Sequence, residues 1–392
     1  MTKVLLITNI PTPYRIPLFN EINKQLGESG IGFKVIFGAR GYARRKWIID
    51  ENDFEFKYQV LPSKNLFKGH EERSSFTYPG LYKIINQEHP DIIIVSGFSI
   101  ATTKLWLRSF IMKTPYIIWS GAIHRVNESK SLFRRLQRKL LTSKASGFIA
   151  YGSKAKLYLI NSGAPSKKIN IAINTVDTSF YQRNTDKRNI CLENEKSVKR
   201  LLCIGYLTKR KRIDLLIKSI RHLSKLRNKD FKVIIVGDGP AKNDIQILIK
   251  KYNLQDYFHL TGYLHKDDVK KIYHNSYCFL FPSEYDIWEL VLIEAMAAGL
   301  PCLASIKAGA TQDVLKDGIN GFKLDFENTV EVAEKINWLL NNPDSADEMG
   351  KKALQLIQSQ LTLQVSAQGF IRSICQILLV KQAEKEVNDV PV

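Results

Sequence analysis

Two carboxylates eight positions apart, Asp286 and Glu294, follow a short apolar run (Tyr277–Phe281) that breaks into a loop and then a helix closed by Gly299 and Pro301. An ionised carboxylate accepts two hydrogen bonds at once, so a pair of them suits the diols of a sugar and a ribose. The first-turn amides of the helix offer partial positive charge to a diphosphate. Glu294 sits between Ile293 and Ala295 in an apolar helix, where a carboxylate needs a partner; capping or pairing with a lysine is the structural alternative. Upstream, the strand-like run Arg200–Ile204 enters Gly205-Tyr206-Leu207-Thr208-Lys209-Arg210-Lys211-Arg212 and then an apolar helix. Four cations at a strand-to-helix turn can converge on phosphate, although a solvated charge run has the same composition. The run Lys232–Val236 ends in Gly237-Asp238-Gly239-Pro240, a tight turn that glycine permits. Lys242 stands where a dinucleotide fingerprint needs its third glycine, which counts against nicotinamide binding.

Elements that could position these residues alternate along the chain in the β–α rhythm of parallel sheets. Strands are expected at Val4–Thr8, Phe33–Phe37, Asp91–Val95, Tyr116–Trp119 and Gly147–Ala150. After a polar stretch they resume at Arg200–Ile204, Lys232–Val236, Tyr257–Thr261, Tyr277–Phe281 and Pro301–Ala304. Helical patterns lie between, including Ile16–Leu26, Ile213–Leu226 and Asp267–His274, and from about Val330 onward the pattern is helical throughout. A chain of 392 residues exceeds one ordinary core. The expected division is a first domain at 1–185, a linker at 186–198, a second domain at 199–362 and a helical segment at 363–392. Two such α/β domains side by side would bring the carboxyl ends of both sheets to a shared crevice.

The net charge of +20 favours anionic partners: nucleotide diphosphates, nucleic acid or an acidic membrane surface. Between Arg125 and Lys156 nine basic residues face one acid, Glu128, and Leu132, Phe133, Leu136, Leu140 and Leu141 recur at helical spacing. This basic amphipathic helix reads either as a solvated face over a buried stripe or as a lipid-contacting surface. Nucleic-acid binding is the weakest reading. Five cysteines (Cys191, Cys203, Cys278, Cys302 and Cys375) show neither paired nor zinc-ligand spacing, which argues against disulfides and structural metal. No apolar run approaches the roughly 18 residues of a membrane span. The opening run Val4–Ile10 is shorter than a secretory signal core and reads as a buried strand, so a cytoplasmic protein is expected.

In chain order the motifs resemble those of the retaining family 4, or group 1, glycosyltransferases, which share the two-domain GT-B fold. Phe281 to Pro301 is similar to their E-x7-E region, and Asn9-Ile-Pro-Thr-Pro-Tyr-Arg-Ile-Pro-Leu-Phe19 resembles the opening of bacterial polysaccharide-building members. Asn174-Thr-Val-Asp177 resembles N-G-V-D, Gly205–Lys211 resembles G-R-L-x-x-x-K, Val236–Pro240 resembles V-G-x-G-P, and Asp317-Gly-Ile-Asn-Gly321 resembles D-G-x-N-G. The resemblance implies that 1–185 binds the acceptor, that 199–362 binds the nucleotide sugar and that the helical segment 363–392 packs back on the first domain. It implies also that Glu294 holds the donor ribose, Asp286 the transferred sugar and Lys211 the diphosphate. It places the nucleobase against Gly262-Tyr263-Leu264, and the donor against Gly205, Tyr206, Arg210, Arg212, Gly237, Gly239, Ile287, Trp288, Glu289, Leu290 and Val291. His124 becomes the candidate first-domain histidine near the donor sugar, and Pro13, Tyr14 and Arg15 the candidate acceptor-side residues.

Three positions depart from the family pattern. Asp286 is one methylene shorter than the usual Glu. Tyr206 replaces an arginine, a loss that Arg210 or Arg212 would have to offset. Glu289 replaces a glycine and is expected to bring a carboxylate near the phosphates. The implied partners are a UDP- or GDP-sugar, a glycan or lipid-linked acceptor and an anionic membrane at the inner face. No cofactor, no obligatory metal and no nucleic acid are implied. A nucleotide-sugar epimerase of the same fold and a non-catalytic basic scaffold are the competing classes.

Overall fold

The computed structural model describes residues 1–41, 49–66, 75–124, 132–183, 198–227 and 229–388, of which 384–388 are described as backbone alone. The chain divides into two compact units, Met1–Val176 with Leu363–Val392, and Asp177–Thr362. The boundary therefore falls before residue 185. The short helix Thr178–Tyr181 packs on the helix Leu290–Ala297, and the Tyr181 ring meets Tyr273 edge-on at 5.7 Å. Apart from Val198, the expected linker lies outside the described residues.

The first unit holds a seven-stranded sheet of β1 (Lys3–Thr8), β2 (Gly32–Phe37), β3 (Lys57–Val60), β4 (Ile92–Ser96), β5 (Tyr116–Ser120), β6 (Gly147–Ala150) and β7 (Ile169–Ile171), in the order β3-β2-β1-β4-β5-β6-β7. All its neighbours pair in parallel. The inner strands β1, β4, β5 and β6 are apolar and buried along almost their whole length, as strands covered on both faces are. The edge strands β3 and β7 escape sequence reading: Lys-Tyr-Gln-Val is half exposed, and Ile-Asn-Ile is three residues long.

The C-terminal helix Leu363–Asn388 packs on the helix Ile16–Glu28 and on β6 and β7, within the first unit. Phe370, Ile374 and Ile377 are buried there, with Phe370 edge-on to Trp119 at 5.1 Å. Contrary to the sequence reading, the helical stretch Pro343–Ala383 is long and apolar enough for one span by length and composition, and 39% of its apolar window is buried inside the protein. The buried part of its C-terminal half, Phe370, Ile374 and Ile377, belongs to the core of the first unit.

The second unit holds β8 (Lys199–Ile204), β9 (Phe231–Val236), β10 (Phe258–Gly262), β11 (Cys278–Phe281), β12 (Cys302–Ser305) and β13 (Gly321–Leu324), in the parallel order β10-β9-β8-β11-β12-β13. β13 is a further strand hidden behind a turn, in which Asn320 bonds Lys316 and Val314 while Asp317 accepts the Lys323 N–H. β8 pairs with β9 on one side and β11 on the other. This is the switch point of the sheet, where loops leaving the carboxyl ends diverge and leave room for a ligand. Cys203, Cys278 and Cys302 are buried free thiols in these strands, Cys375 is free and exposed, and Cys191 lies outside the described residues.

Candidate active site

Because β8 and β11 are neighbours, the loops that follow them meet although some 75 positions separate their residues. The loop after β8 closes in a turn of 3-10 helix, Lys209–Lys211, that turns Lys211 inward to 8% exposure. Its ammonium pairs with Asp286 Oδ2 and lies 4.5 Å over the Phe281 ring. Arg210 Nη1 reaches the same carboxylate oxygen at 3.1 Å and donates to the Tyr285 carbonyl at 2.8 Å. Asp286 Oδ1 accepts the Ile287 N–H at 3.1 Å. Burial alone would raise the Asp286 pKa; Lys211 and Arg210 outweigh it and hold the carboxyl below its ordinary range. The result is an ionised carboxylate and two cations in one spot, able to take a hydroxyl and a diphosphate together.

Backbone packing sets this arrangement. Gly237 has φ of +136°, and a Cβ there would stand 2.0 Å from the Gly205 carbonyl oxygen, so the turns after β8 and β9 touch directly. Gly237 N–H in turn donates to the Gly262 carbonyl at 2.8 Å, joining the end of β10. Tyr263 beyond it is exposed and Leu264 half-buried, while Tyr206 is half-buried beside Gly205 and Gly239 packs on Leu207.

Two expectations change. Glu289 does not face a phosphate: it is 2% exposed, and its Oε1 and Oε2 accept the N–H groups of Gly309 at 2.9 Å and Ala310 at 2.8 Å. Its backbone, at φ of −88°, needs no glycine. Burial, and secondarily Asp286, pushes its carboxyl up to about 7. Nor does Arg212 replace the arginine missing at Tyr206. It sits at φ of +49° with Nε 3.2 Å from Asp214, and its guanidinium approaches Glu284 and Glu327 at 3.6 and 3.8 Å.

Glu294 lies one turn into the helix Leu290–Ala297, and its Oε2 accepts the Tyr273 hydroxyl at 2.9 Å. Burial raises its pKa, and the hydroxyls of Tyr273 and Tyr181 oppose that rise. Neither tyrosine is signalled by the local sequence, since the helices that carry them stand beside Glu294 only in the fold. Of the other donor-side candidates, Ile287 is exposed, Trp288 is buried with its indole N–H unpartnered, and Leu290 and Val291 are half-buried in the first turn. In the first unit His124 is exposed, with Nε2 3.0 Å from Asn161 Nδ2 and its ring 4.9 Å from Tyr158. Pro13, Tyr14 and Arg15 are half exposed at the entry to the helix Ile16–Glu28. Among the described residues no group of three His, Cys, Asp or Glu side chains is placed to hold a metal.

The family described as "Glycosyl transferases group 1" matches residues 185–356. The chain is 28% identical over 197 residues to N-acetyl-alpha-D-glucosaminyl L-malate synthase of Bacillus anthracis, an alignment that spans about half the length of that relative, 50% of either chain. With the poly(ribitol-phosphate) alpha-N-acetylglucosaminyltransferase of Staphylococcus aureus it shares 26% identity over 343 residues, 86% of this chain and 64% of the relative. Among solved structures, Anabaena HepE in complex with UDP and glucose superposes with a TM-score of 0.73 at 18% identity, covering 96% of this chain and 100% of that one. That likeness, like the one to the lipopolysaccharide outer core galactosyltransferase WaaB (TM-score 0.70, 15% identity, 96% and 99% covered), shows the fold. Residues 185–356 thus match the group 1 glycosyltransferase family, and the two parallel-sheet units with the likeness to these solved structures show the GT-B fold.

Proposed function

We propose that this chain is a retaining glycosyltransferase that moves a hexose from a UDP- or GDP-sugar to a glycan or lipid-linked acceptor in cell-surface polysaccharide or lipopolysaccharide synthesis. The observation that carries this reading is the meeting of Lys211, Arg210 and Asp286 at the switch point of the second sheet, with Glu294 one turn into the next helix. Lys211 and Arg210 neutralise the leaving diphosphate as its charge develops. Asp286 takes a hydroxyl of the transferred sugar, Glu294 takes the ribose diol, and the first turn at Leu290 and Val291 offers its amides to phosphate. Substitution proceeds on the front face, with the departing diphosphate helping to take the acceptor proton, and the family resemblance gives His124 a role toward the donor sugar. Because two cations already serve the diphosphate, the reading needs no obligatory divalent metal. The HepE structures named for UDP and UDP-glucose, and the cell-surface roles in the relatives' names, support this class of donor and acceptor.

Calorimetry with UDP, GDP, ADP and their sugars tests the donor. One nucleotide sugar is expected to bind selectively, and Glu294→Ala to weaken it by about 10- to 100-fold, as befits a charged hydrogen-bonding group. Absence of binding by every nucleotide sugar would sink the reading.

The acceptor side is proposed to work at the cytoplasmic face of the membrane. In the basic helix Leu132–Ser143 the apolar positions Leu132, Phe133 and Leu136 are exposed at 78%, 76% and 58%, where a buried stripe would be covered. Phe110 and Ile111, also in the first unit, are exposed with them. Apolar side chains among arginines suit an anionic lipid surface. Co-sedimentation with vesicles containing phosphatidylglycerol is expected to exceed that with phosphatidylcholine alone, and Phe133→Ser with Leu136→Ser to lower it about tenfold. Equal recovery with both vesicle types would count against the membrane reading.

A further inference from the structure

The first unit carries a cation that its own ion pairs do not use. Arg15 is the residue that opens the helix Ile16–Glu28, immediately beyond the loop that leaves β1. Its guanidinium lies 4.4 Å over the Trp119 ring and 5.7 and 5.8 Å from the rings of Tyr14 and Tyr151. Nη2 bonds the Tyr151 hydroxyl, and Nη1 stands 3.5 Å from Thr8 Oγ1. Among the described residues no carboxylate pairs with it. A guanidinium taken partly out of water with neutral neighbours is costly unless a counter-charge arrives.

Among the described residues, Arg15 and two residues in contact with it each carry a buried polar atom without a hydrogen-bond partner: Arg15 Nε, Thr12 Oγ1 and Trp119 Nε1. Thr12 is 5% exposed and Trp119 1%. The three side chains are locally connected. The Thr12 carbonyl accepts the N–H groups of Arg15 and Ile16 at 2.9 and 3.3 Å, and Arg15 stacks on Trp119. All three atoms can donate a hydrogen bond; Arg15 Nε and Trp119 Nε1 can only donate. The place is also the right one in the sheet. β1 pairs with β4 on one side and β2 on the other, so the loop holding Thr12 and Arg15 leaves the switch point of the first unit. Tyr14 and Arg15 are partly exposed as whole residues, while Arg15 Nε itself is buried, so an anion would engage the guanidinium from its exposed side.

We propose that Thr12, Arg15 and Trp119 form an oxyanion site in the first unit, and that it takes a carboxylate or phosphate group carried by the acceptor. The acceptor is then an acidic molecule. This assignment rests on the transferase reading for the word acceptor, but the site stands or falls separately. Arg15 supplies charge and a planar donor edge, Trp119 both a stacking face and an N–H, and Thr12 a hydroxyl.

The test uses the full chain labelled with nitrogen-15, saturated with whichever of UDP and GDP binds, so that the cations of the second unit are occupied. The indole N–H resonances of its five tryptophans are followed while inorganic phosphate or malonate is added. Trp119→Phe assigns the Trp119 resonance. That resonance is expected to shift saturably with at least one of the two anions, and the preferred one tells phosphate from carboxylate. Arg15→Gln is expected to abolish the shift or weaken binding at least tenfold, and Arg15→Lys to keep part of it. If Arg15→Gln does not fold, Thr12→Val, which conserves volume, is expected to weaken binding by roughly threefold and carries the test. An unmoved Trp119 resonance with both anions overturns the proposal, as does an unchanged affinity in the folded Arg15 or Thr12 variants. Failure of both UDP and GDP to bind would instead count against the donor reading, so the two failures are told apart.

Discussion

Lys211→Met is expected to lower kcat/KM about a thousandfold while leaving the fold in place. The ammonium is buried and shares the Asp286 carboxylate oxygen with Arg210, and on the proposed reading it meets the charge that develops on the departing diphosphate. Removing one preorganised charge of this kind from a water-poor site costs about 10²- to 10³-fold, roughly 3–4 kcal/mol. The expected loss is at the upper end because Tyr206 supplies no cation and Arg212 is spent on Asp214, Glu284 and Glu327. Arg210 keeps Asp286 from being stranded, and methionine fills the volume beside Phe281, so the variant should still melt cooperatively. Nucleotide binding is expected to weaken less than turnover, since charge grows on the diphosphate only as the bond breaks. Steady-state kinetics beside calorimetry checks this. A variant within threefold of wild type in kcat/KM would remove Lys211 from the reaction.

The inner strands were legible because a strand covered on both faces must be a continuous apolar run, and Val4–Thr8 or Phe279–Phe281 can be little else. β3 and β7 lie at sheet edges and β13 is four residues long, so each lacks that mark. Lys211 and Asp286 could be named from their local motifs, but their ion pair follows from β8 lying next to β11, a fact of topology. Arg212 shows the opposite case: its spacing suggested a phosphate contact, and a left-handed backbone turns it to the acids around it. The phenols of Tyr273 and Tyr181 were invisible for the same topological reason, although a carboxylate inside Ile293-Glu294-Ala295 already demanded such partners.

The sequence pattern puts Glu289 near the phosphates, and its place in the fold leads to a different expectation. The Gly309 N–H is shared between the Asp286 carbonyl, at 3.0 Å, and Glu289 Oε1, while Ala310 N–H bonds Oε2. A Cβ at Gly309 would stand 2.0 Å from the Ile287 carbonyl oxygen, so the turn after β12 is pressed onto the backbone of the loop that carries Asp286. Glu289 is thus a positioning residue for Asp286. Glu289→Gln puts an amide NH₂ against a backbone N–H that must then lose its acceptor, at about 1–3 kcal/mol of stability. The pH dependence separates this from a simple packing loss. The carboxyl is pushed up to about 7 by burial first and Asp286 second, above the 4.5 of an exposed glutamate. The fold therefore binds this proton more tightly than the unfolded chain does. The stability that proton contributes is whole below about pH 4.5 and is lost as pH rises through about 7. Glutamine cannot titrate, so the gap in melting temperature between wild type and Glu289→Gln should be wider at pH 5.5 than at pH 8. Kinetics should show a lowered kcat/KM that Glu289→Asp restores in part and Glu289→Gly does not. A gap independent of pH would mean that the carboxyl is already ionised across this range, held by the two amides and Lys211 against the cost of burial.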